Sequence, residues 1–456
     1  MILLVNPWIY DFAAYDLWIK PMGLLRIADQ LIQEGYRVEL LDCLDRSIER
    51  GAQRFREGRY GDGKYPWVEV AKPDIFKDIP RKYKRYGIAP SLFEEQLNTL
   101  SSPPEAILVT SLMTYWYPGV ALAIRLVKER FPETPVILGG IYATLCTEHA
   151  EKESGADLIV KGQGLDIGRI LRDKFRIFPS AKGEKRFPLA LYPHLQYVPL
   201  LTSEGCPFHC TYCASWLLYP DYVRFRPEDV LEEIEYFFRE RGIKNFAFYD
   251  DALLHDFEHH TGILLEGVLK KGIKVNFHTP NGLHARYLRN PERADLLVRS
   301  GFKTIRLSLE TINPERQNLS GGKVNSEDIL TALANFRKAG LLPETIGVYI
   351  MFGLDGQPLE EVYQTASFIH RLGARIYLSE FSPIPGTPEG ERALNKLGER
   401  RPGFQQDPLL QNNSVYFYMS GQHSWEEIKR LRDWIQGLNN FHKRGCQTAK
   451  SNIIYR

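Results

Sequence analysis

Three of the six cysteines in the chain, Cys206, Cys210 and Cys213, lie in one short stretch with the spacing Cys-x3-Cys-x2-Cys. Thiolates that are crowded together repel one another unless a metal offsets their charge, so this spacing predicts a multinuclear metal site held by one loop. A four-iron cluster that is fully ligated by protein takes four cysteinates. Three cysteines therefore predict a cluster in which one iron stays open to a ligand that is not protein.

A single zinc ion is the alternative for the same loop, because His209 would complete a Cys3His ligand set. His209 and Cys210 are adjacent, however, and would have to point at one ion from neighbouring positions. The sequence also lacks the paired Cys-x2-Cys partners of such sites elsewhere, so the pattern disfavours zinc. The other cysteines are far apart in sequence, and we expect small buried apolar side chains at Cys43, Cys146 and Cys446, with exposure in its polar tail as the alternative for Cys446.

The composition is that of an ordinary soluble protein, with 456 residues, 44% hydrophobic and 25% charged residues, and a formal net charge of +2. This length predicts two or three domains. Residues 1–7 carry no basic region before their short apolar run, and no apolar stretch approaches the roughly 18 residues that span a bilayer. Few and unevenly placed cysteines favour a reducing compartment. We therefore expect a cytoplasmic, oxygen-sensitive protein without a membrane span.

Strands alternate with helices through residues 1–170, which we assign to a first domain. This alternation predicts an α/β fold with a doubly wound, parallel, Rossmann-like sheet. Ligands of such sheets bind beyond the carboxyl ends of the strands, where Ser111, Gly139-Gly140 and Gly162 follow the third, fourth and fifth strands. The predicted strands are 2–5, 38–41, 107–110, 136–138 and 158–160, and the predicted helices are 21–35 and 118–131.

This first domain resembles the cobalamin-binding domain found upstream of one branch of radical S-adenosylmethionine enzymes. The resemblance is carried by Val5-Asn6-Pro7, by the segments 21–25 and 136–144, and by residues 157–164. It departs from the cobalamin-binding pattern in one respect, because no Asp-x-His-x-x-Gly follows the first strand to offer cobalt a histidine. A working cobalamin site and a domain that kept only the fold remain equal alternatives. A bound corrin would lie against Thr110, Ser111, Gly139, Gly140, Tyr142 and Gly162.

An insertion at about residues 47–99 separates the second and third strands, and its most basic run is 81–86, Arg-Lys-Tyr-Lys-Arg-Tyr. Basic residues interleaved with tyrosines could bind phosphate and stack on a base. Charge runs are more often solvated surface, so we favour a solvated loop over one edge of the domain and predict no nucleic-acid partner. Residues 171–194, with their charged segment 182–186, are predicted to be a linker.

A second alternation of strands and helices fills residues 195–390. Six strand-helix units fall short of the eight that close a complete barrel, so we predict a partial (β/α)6 barrel of the TIM type, open on one side. The first strand delivers the cysteine loop, and Asp250-Asp251 follow the second strand. The predicted strands are 197–202, 246–249, 275–278, 304–309, 346–351 and 375–381.

Residues 197–387 resemble the radical S-adenosylmethionine (radical SAM) superfamily. Cys206, Cys210 and Cys213 match its signature, including the aromatic Tyr212 before the last cysteine. Weaker matches follow in the family's order: Asp250-Asp251, Ser308-Leu309-Glu310, the Gly353 segment 352–357 and the segment 382–387. In the segment 352–357, Asp355 replaces the more usual proline.

The resemblance implies that the three cysteines hold a [4Fe-4S] cluster and that S-adenosylmethionine chelates its open iron. The cofactor contacts it implies are Tyr212, Asp250, Asp251, Ser308, Glu310 and Gly353. Asp250 or Asp251 would hold the methionine ammonium, and Glu310 would accept a ribose hydroxyl or pair with that ammonium. The structural alternatives are a helix N-cap for the aspartates and a rim salt bridge for Glu310.

The implied activity is reductive cleavage of S-adenosylmethionine, driven by a low-potential donor of the flavodoxin or ferredoxin type. The resulting 5'-deoxyadenosyl radical would abstract hydrogen from an organic substrate that the sequence does not identify. With cobalamin, the outcome is methyl transfer to an unactivated carbon. Without it, the outcome is a radical rearrangement, a cyclisation, or C–C or C–S bond formation. A non-catalytic sensor that binds the cluster or a corrin is the alternative from another functional class.

Residues 391–456 form a C-terminal extension of α/β or helical type. The run 415–419 predicts a strand, and Ser424 with Glu427 predicts a capping box that begins a helix. This segment would either close the open side of the barrel or pack outside it.

Overall fold

The computed structural model describes residues 1–48, 57–164, 166–183, 187–319 and 321–453, with side chains up to residue 441. The chain divides into two compact units. The N-terminal unit comprises Met1–Gln196 together with Leu394–Ser414, and the barrel unit comprises Tyr197–Ala393 together with Val415–Arg456. Among the residues that the structure describes, no helix is both long enough and apolar enough to cross a membrane.

The N-terminal unit is built on a parallel sheet of five strands. The described strands of the unit, five of which form this sheet, are β1 (Ile2–Asn6), β2 (Ile9–Asp11), β3 (Val38–Asp42), β4 (Trp67–Glu69), β5 (Lys84–Tyr86), β6 (Ala106–Val109), β7 (Val136–Leu138) and β8 (Leu158–Ile159). Its helices are α1 (Met22–Gln33), α2 (Pro90–Asn98), α3 (Tyr117–Arg130), α4 (Ile141–Leu145), α5 (Thr147–Glu153) and α6 (Ile167–Phe175). The parallel order β3-β1-β6-β7-β8 confirms the predicted doubly wound fold. It places the topological switch point between β1 and β6, where such sheets bind ligands.

Alternate side chains of β1 pack into two separate hydrophobic cores, one on each face of the sheet. Ile2 and Leu4 pack with α1 and α6, whereas Leu3 and Val5 pack with α2 and α3. Helix α6 continues into the predicted linker because Leu171 is fully buried in the first of these cores. The linker prediction for 171–194 is therefore wrong at its start.

The insertion is packed rather than solvated over its described part, 57–99. Strand β5 pairs antiparallel with β2 on one side and with β4 on the other, in the order β2-β5-β4. Tyr83 and Tyr86 are 1% and 4% exposed, so neither ring is available to stack on a base. Lys84 lies 3.9 Å above the Trp67 ring. The favoured prediction of a solvated loop is thus wrong, because the tyrosines of the basic run serve as core residues.

The barrel unit contains six parallel strands, two of which are bent into halves. The described strands of the unit, of which β10 and β11 form a separate short ladder, are β9 (Val198–Leu200), β10 (Ser203–Glu204), β11 (Val223–Arg224), β12 (Asn245–Phe248), β13 (Asn276–His278), β14 (Leu283–His284), β15 (Phe302–Thr304), β16 (Arg306–Glu310), β17 (Gly347–Phe352) and β18 (Arg375–Glu380). Its helices up to the last strand are α7 (Ser215–Leu218), α8 (Pro227–Glu240), α9 (Thr261–Lys270), α10 (Pro291–Ser300), α11 (Pro314–Leu319), α12 (Ser326–Lys338) and α13 (Leu359–Arg371).

The hydrogen-bonded orders are β9-β12-β13-β15 and β14-β16-β17-β18, in which β13 with β14 and β15 with β16 are halves of the third and fourth strands. All these pairings are parallel. Strands β9 and β18 are the edges among the described residues. The prediction of an incomplete parallel barrel is confirmed.

The C-terminal part adds α14 (Pro388–Arg400), α15 (Asn413–Met419) and α16 (Trp425–Ile453). The strand predicted at 415–419 is wrong: this apolar run is a buried helix, and a short apolar run does not distinguish the two by periodicity. Phe417 packs on Phe352 near the carboxyl end of β17, with ring centroids 5.6 Å apart. The capping box of Ser424 and Glu427 is present, as predicted.

Helix α16 covers the free edge of β18. The Asn439 side chain donates to the Ile376 carbonyl and accepts from the Ile376 amide, both at 2.9 Å. Such cover protects an edge strand whose backbone groups would otherwise be unpaired. This helix therefore packs on one open side of the barrel, the first of the two roles considered for it.

Residues 394–414 return to the N-terminal unit and lie against loops at the carboxyl ends of its strands. Asn412, which is fully buried, donates to Asp11 at 3.0 Å. Tyr115, in the loop after β6, donates to Asn413 at 3.2 Å. Arg401 forms an ion pair with Asp78 at 2.7 Å. The predicted C-terminal extension 391–456 is thus divided between the two units.

Candidate functional site

The cysteine loop leaves the barrel after β9 and is closed at its base by a short antiparallel ladder. Strand β10 pairs with β11 so that Ser203 lies opposite Arg224 and Glu204 opposite Val223. Gly205 follows with a φ of +74°, and a Cβ atom there would lie 2.5 Å from the Asp221 carbonyl oxygen. Only glycine fits this turn, so the sequence Glu-Gly-Cys is a geometric requirement of the loop.

The three thiols lie in surroundings that do not support free thiolates. Burial raises the pKa of Cys206 to about 12 and that of Cys213 to about 11. Cys210 is 5% exposed, and burial also raises its pKa. Because iron binds the thiolate form, the metal itself must supply the positive charge that deprotonates these groups. The donor set of one buried and two half-buried thiols in one loop fits a [4Fe-4S] cluster with one open iron.

The zinc alternative finds no support in the side-chain positions. His209 is exposed and its ring lies 6.1 Å from the Trp216 ring. In the part of the chain that the structure describes, no three His, Cys, Asp or Glu side chains converge as one metal ion would require. Cysteines that bind different irons of one cluster do not have to converge in this way.

Asp250 anchors the start of the cysteine loop. Its Oδ1 accepts hydrogen bonds from the Thr202 amide at 2.9 Å, the Thr202 hydroxyl at 2.7 Å and the Ser203 hydroxyl at 2.7 Å. The residue is 2% exposed, and its Oδ2 has no partner among the described residues. Burial raises the pKa of this carboxyl to about 6, against the lowering effect of the bonds from Ser203 and Thr202. The geometry combines a structural anchor with one oxygen left for a ligand.

Asp251 lies at the other end of the same loop and is exposed. It accepts a hydrogen bond from the Ser215 hydroxyl, and the Ser215 amide donates to Cys213 Sγ at 3.5 Å. One serine therefore links Asp251 to a cluster cysteine. The two neighbouring aspartates that follow β12 thus have different surroundings, which their sequence did not reveal.

Glu310, at the end of β16, forms a buried ion pair that the sequence did not predict. Lys323 Nζ lies 2.8 Å from Glu310 Oε1, and the two side chains are only 12% and 10% exposed. Burial lowers the pKa of Lys323, but Glu310, Tyr212 and Cys210 outweigh it and raise that pKa well above the usual value, so the ammonium is charged. The same ammonium lies 5.5 Å above the Tyr212 ring. The salt-bridge alternative for Glu310 is therefore present, although the pair is buried and not at the rim.

The remaining predicted residues lie at the same end of the barrel. Ser308 lies in register with His284 of the neighbouring strand. Gly353 follows β17 with a φ of +95°, and its amide donates to Gln357 at 3.1 Å. His284 was missed by sequence reasoning: it is 6% exposed, its ring lies 4.9 Å from Phe208 of the cysteine loop, and its Nδ1 has no partner among the described residues. Lys323 was missed too. The only local signal in the sequence is the Gly321-Gly322 pair before it, which indicates a tight turn.

At the ligand edge of the N-terminal unit, two predicted residues serve mainly as supports. Ser111 is 2% exposed; its hydroxyl donates to the Gly139 carbonyl at 2.9 Å and accepts from the Tyr142 amide at 3.0 Å. The Tyr142 side chain is fully buried, and its hydroxyl contacts His149 Nδ1 at 2.7 Å. Thr110 is 7% exposed. Gly162 differs from these, because nothing lies within 4 Å of the position that a Cβ would occupy.

Gly140 is the position of this edge where a side chain should be least tolerated. Its φ of 90° and ψ of −165° lie in a region that is essentially reserved for glycine, and a Cβ would lie 2.5 Å from the Ser111 carbonyl oxygen. We expect Gly140→Ala to destabilise the protein by at least about 3 kcal/mol, the upper end of the cost of such strain, because the clash adds to it. Gly162→Ala, which has a positive φ but open space, should cost about 1–2 kcal/mol.

Thermal unfolding followed by circular dichroism would compare the two variants. Equal melting temperatures for Gly140→Ala and Gly162→Ala would contradict the close approach of Ser111 to Gly140.

Comparison with known proteins agrees with this geometry. Residues 200–369 match the Radical SAM superfamily. The chain is 27% identical over 287 residues to the bacteriochlorophyllide d C-12(1)-methyltransferase of Chlorobaculum tepidum. This alignment covers 58% of the chain and 60% of the relative. It is 26% identical over 457 residues to the cytidylyl-2-hydroxyethylphosphonate methyltransferase of Streptomyces wedmorensis, and this alignment covers 85% of the chain and 80% of the relative.

Among solved structures, the fold is similar to that of the radical S-adenosylmethionine methyltransferase TsrM from Kitasatospora setae, determined with cobalamin and a [4Fe-4S] cluster bound. The TM-score is 0.61 at 17% sequence identity, over 87% of this chain and 75% of that chain. At this identity the likeness concerns the fold, and it extends over both units. Residues 200–369 are thus a Radical SAM domain, and the chain as a whole has a fold similar to that of a methyltransferase determined with cobalamin and a [4Fe-4S] cluster bound.

Proposed function

We propose that this enzyme is a cobalamin-dependent radical SAM methyltransferase that acts on an unactivated carbon of an organic substrate. The observation that carries the proposal is the presence, in one chain, of the three-cysteine barrel and the β3-β1-β6-β7-β8 sheet, in a fold similar to that of a methyltransferase whose structure holds cobalamin. The two curated relatives described above are methyltransferases as well. The identity of the substrate is left open by this proposal.

In the barrel unit, the residues divide the work of holding the cofactors. Cys206, Cys210 and Cys213 would bind three irons, and the cluster with S-adenosylmethionine supplies the one-electron chemistry that yields a 5'-deoxyadenosyl radical. Asp251, which is exposed beside the loop, or the free Oδ2 of Asp250 would receive the methionine ammonium. Both residues follow β12, and each accepts a hydrogen bond from an end of the cysteine loop, Asp250 from Thr202 and Ser203 and Asp251 from Ser215.

The strand ends opposite would hold the rest of S-adenosylmethionine. Glu310 would accept a ribose hydroxyl with the oxygen that Lys323 does not engage. Ser308 and the backbone at Gly353 would line the same end of the barrel, and Tyr212 would pack beside the cofactor.

In the N-terminal unit, the switch point fits a corrin. Asn6, at the carboxyl end of β1, donates to Asp42 at 2.6 Å, while its own Oδ1 is buried without a partner among the described residues. An acceptor of this kind suits the amide groups at a corrin's rim. At Gly162 nothing lies within 4 Å of the position that a Cβ would occupy, so the backbone there is open to a ligand. The corrin would supply the methyl group when bound.

The supply of electrons and the compartment belong to the same proposal. A low-potential donor of the flavodoxin or ferredoxin type would reduce the cluster. The five cysteines whose side chains the structure describes are all free thiols, which supports a reducing compartment such as the cytoplasm.

The deciding experiment is the visible spectrum of the protein after growth with hydroxocobalamin. We expect the absorption bands of a bound corrin in stoichiometric amount, and methylated product in addition to 5'-deoxyadenosine once a substrate is supplied. A protein that stays free of corrin would rule out methyl transfer from cobalamin.

A radical reaction without corrin is the second candidate, and one observation favours it. The polar groups of Ser111 are already satisfied within the protein, and Tyr142 is fully buried, so neither side chain depends on a ligand. Formation of 5'-deoxyadenosine by a corrin-free protein would support this candidate. Absence of 5'-deoxyadenosine under reducing conditions with S-adenosylmethionine would instead support the sensor alternative.

A further inference from the structure

Lys323 connects the cluster loop with the end of strand β16. It follows Gly321-Gly322 in the loop after α11, and its ammonium pairs with Glu310 at 2.8 Å. A Cβ atom at Gly321 would lie 3.4 Å from the amide nitrogen, Cα and Sγ of Cys210. The loop that carries Lys323 therefore packs directly on a cluster cysteine while its charged end reaches the cofactor-binding strand.

Glu310, the partner of Lys323, has a strained backbone. Its φ is +69°, which is uncommon for a residue with a side chain, and the pairing of β16 with β17 shifts register between Ser308 and Glu310. Strain of this kind persists only where surrounding contacts impose it, and it is concentrated at functional sites. The ion pair with Lys323 is a contact that holds the Glu310 side chain.

Lys323 is also the cation that acts on most groups of this site. Its ammonium interacts electrostatically with Cys210, Cys213 and Asp251, and with His284 across the loop. Tyr212 presents its ring to the same charge. A charge buried this deeply is weakly screened by solvent, so its effect on a neighbouring anionic cluster should be large.

We propose that Lys323 is a positioning residue of the radical SAM site, which holds Glu310 at the end of β16 and offsets negative charge at Cys210, and so makes the cluster easier to reduce. A positive charge stabilises the reduced cluster, which is more negative by one electron. The proposal rests on the cluster site and does not require the methyl transfer proposed above. Failure of the corrin experiment would therefore leave it standing.

The test uses the anaerobically reconstituted enzyme and measures the midpoint potential of the cluster by a redox titration followed by electron paramagnetic resonance. Lys323→Met should shift the potential to more negative values, by an amount equal to about a tenfold change in the reduction equilibrium, which is 59 mV for one electron. Glu310→Gln should shift it in the opposite direction, because it leaves the ammonium uncompensated. Lys323→Arg should stay near the wild-type potential.

The opposite signs separate charge from structure. A loop that was merely loosened would move both variants in the same direction, and that result, or the absence of any shift, would overturn the proposal. Lys338→Met removes an exposed lysine of α12 and should leave the potential unchanged. Iron and sulfide content shows whether each variant holds its cluster. If Lys323→Met does not, the sign of the Glu310→Gln shift decides: a positive shift supports the proposal, and any other result overturns it.

The affinity for S-adenosylmethionine is the second readout. We expect Lys323→Met to weaken it about tenfold, since Glu310 would lose the contact that fixes its carboxylate. An unchanged affinity in Lys323→Met would show that Lys323 does not position Glu310.

Discussion

The Cys210→Ala variant is expected to form no detectable 5'-deoxyadenosine, a loss of at least about 100-fold. Three cysteinates already leave one iron of the cluster without a protein ligand, and a second such iron would make the cluster labile. Loss of partners that merely orient metal ligands costs 10–100-fold, so loss of a direct ligand should cost more. Incubation of the reconstituted protein with S-adenosylmethionine and dithionite, followed by chromatography, measures the product. The iron content of the variant should fall in parallel.

A matched cysteine variant controls for general effects of the substitution. Cys146 lies in the N-terminal unit, where Gln411 donates to its Sγ at 3.4 Å, and no cluster is proposed there. Cys146→Ala should therefore keep the wild-type yield of 5'-deoxyadenosine. An equal yield from Cys210→Ala would contradict the assignment of the cysteine loop as the cluster site.

The loop could be predicted from the sequence because its chemistry is local. Cys206, Cys210 and Cys213 lie in one short segment of the sequence. The six apolar strands of the domain alternate regularly with helices. Gly205 could likewise be read locally, since a tight turn into the loop needs a positive φ. The fold class and the cluster with one open iron followed from these short-range patterns, whereas S-adenosylmethionine and cobalamin were implied by the family resemblance.

What could not be predicted depends on contacts between distant residues. Asp250 is 48 positions from Thr202, and the sequence does not show that only one of two neighbouring aspartates would anchor the loop. The return of residues 394–414 to the N-terminal unit depends on pairs such as Asn412 with Asp11, 401 positions apart. The apolar run 415–419 was misassigned because burial on all sides removes the periodicity that separates a strand from a helix.

Substitution of Asp250 should separate the structural role of this carboxylate from its proposed role in binding. Asp250→Ala removes the acceptor of three buried hydrogen bonds, and at about 1 kcal/mol for each bond we expect a loss of about 3 kcal/mol. Asp250→Asn keeps an acceptor oxygen and removes the buried charge. Thermal unfolding of both variants beside the wild type at about pH 4, where the buried carboxyl of the wild type is protonated, measures the difference, and an alanine variant as stable as the wild type at that pH would contradict the anchor.

The dependence on pH gives the sign of the charge effect. The pKa of Asp250 is about 6 in the folded protein, mainly because of burial, against 3.8 for a free carboxyl. A raised pKa means that the folded state binds the proton more tightly, so this contribution is complete below about pH 4 and is lost as the pH rises through about 6. Asp250→Asn should therefore exceed the wild type in stability by about 1.4 kcal/mol more at pH 8 than at pH 5.

Because the charged carboxylate of Asp250 lowers the stability of the protein at neutral pH, its presence indicates a functional role. If Asp250→Asn is more stable than the wild type yet binds S-adenosylmethionine more weakly, the free Oδ2 of Asp250 serves the ligand, which is the trade-off expected of a functional residue. Asp251→Asn is the matched variant: it is exposed, so its stability should stay within about 0.5 kcal/mol of the wild type. Weaker binding in Asp251→Asn alone would assign the ammonium to Asp251 and leave Asp250 with the loop.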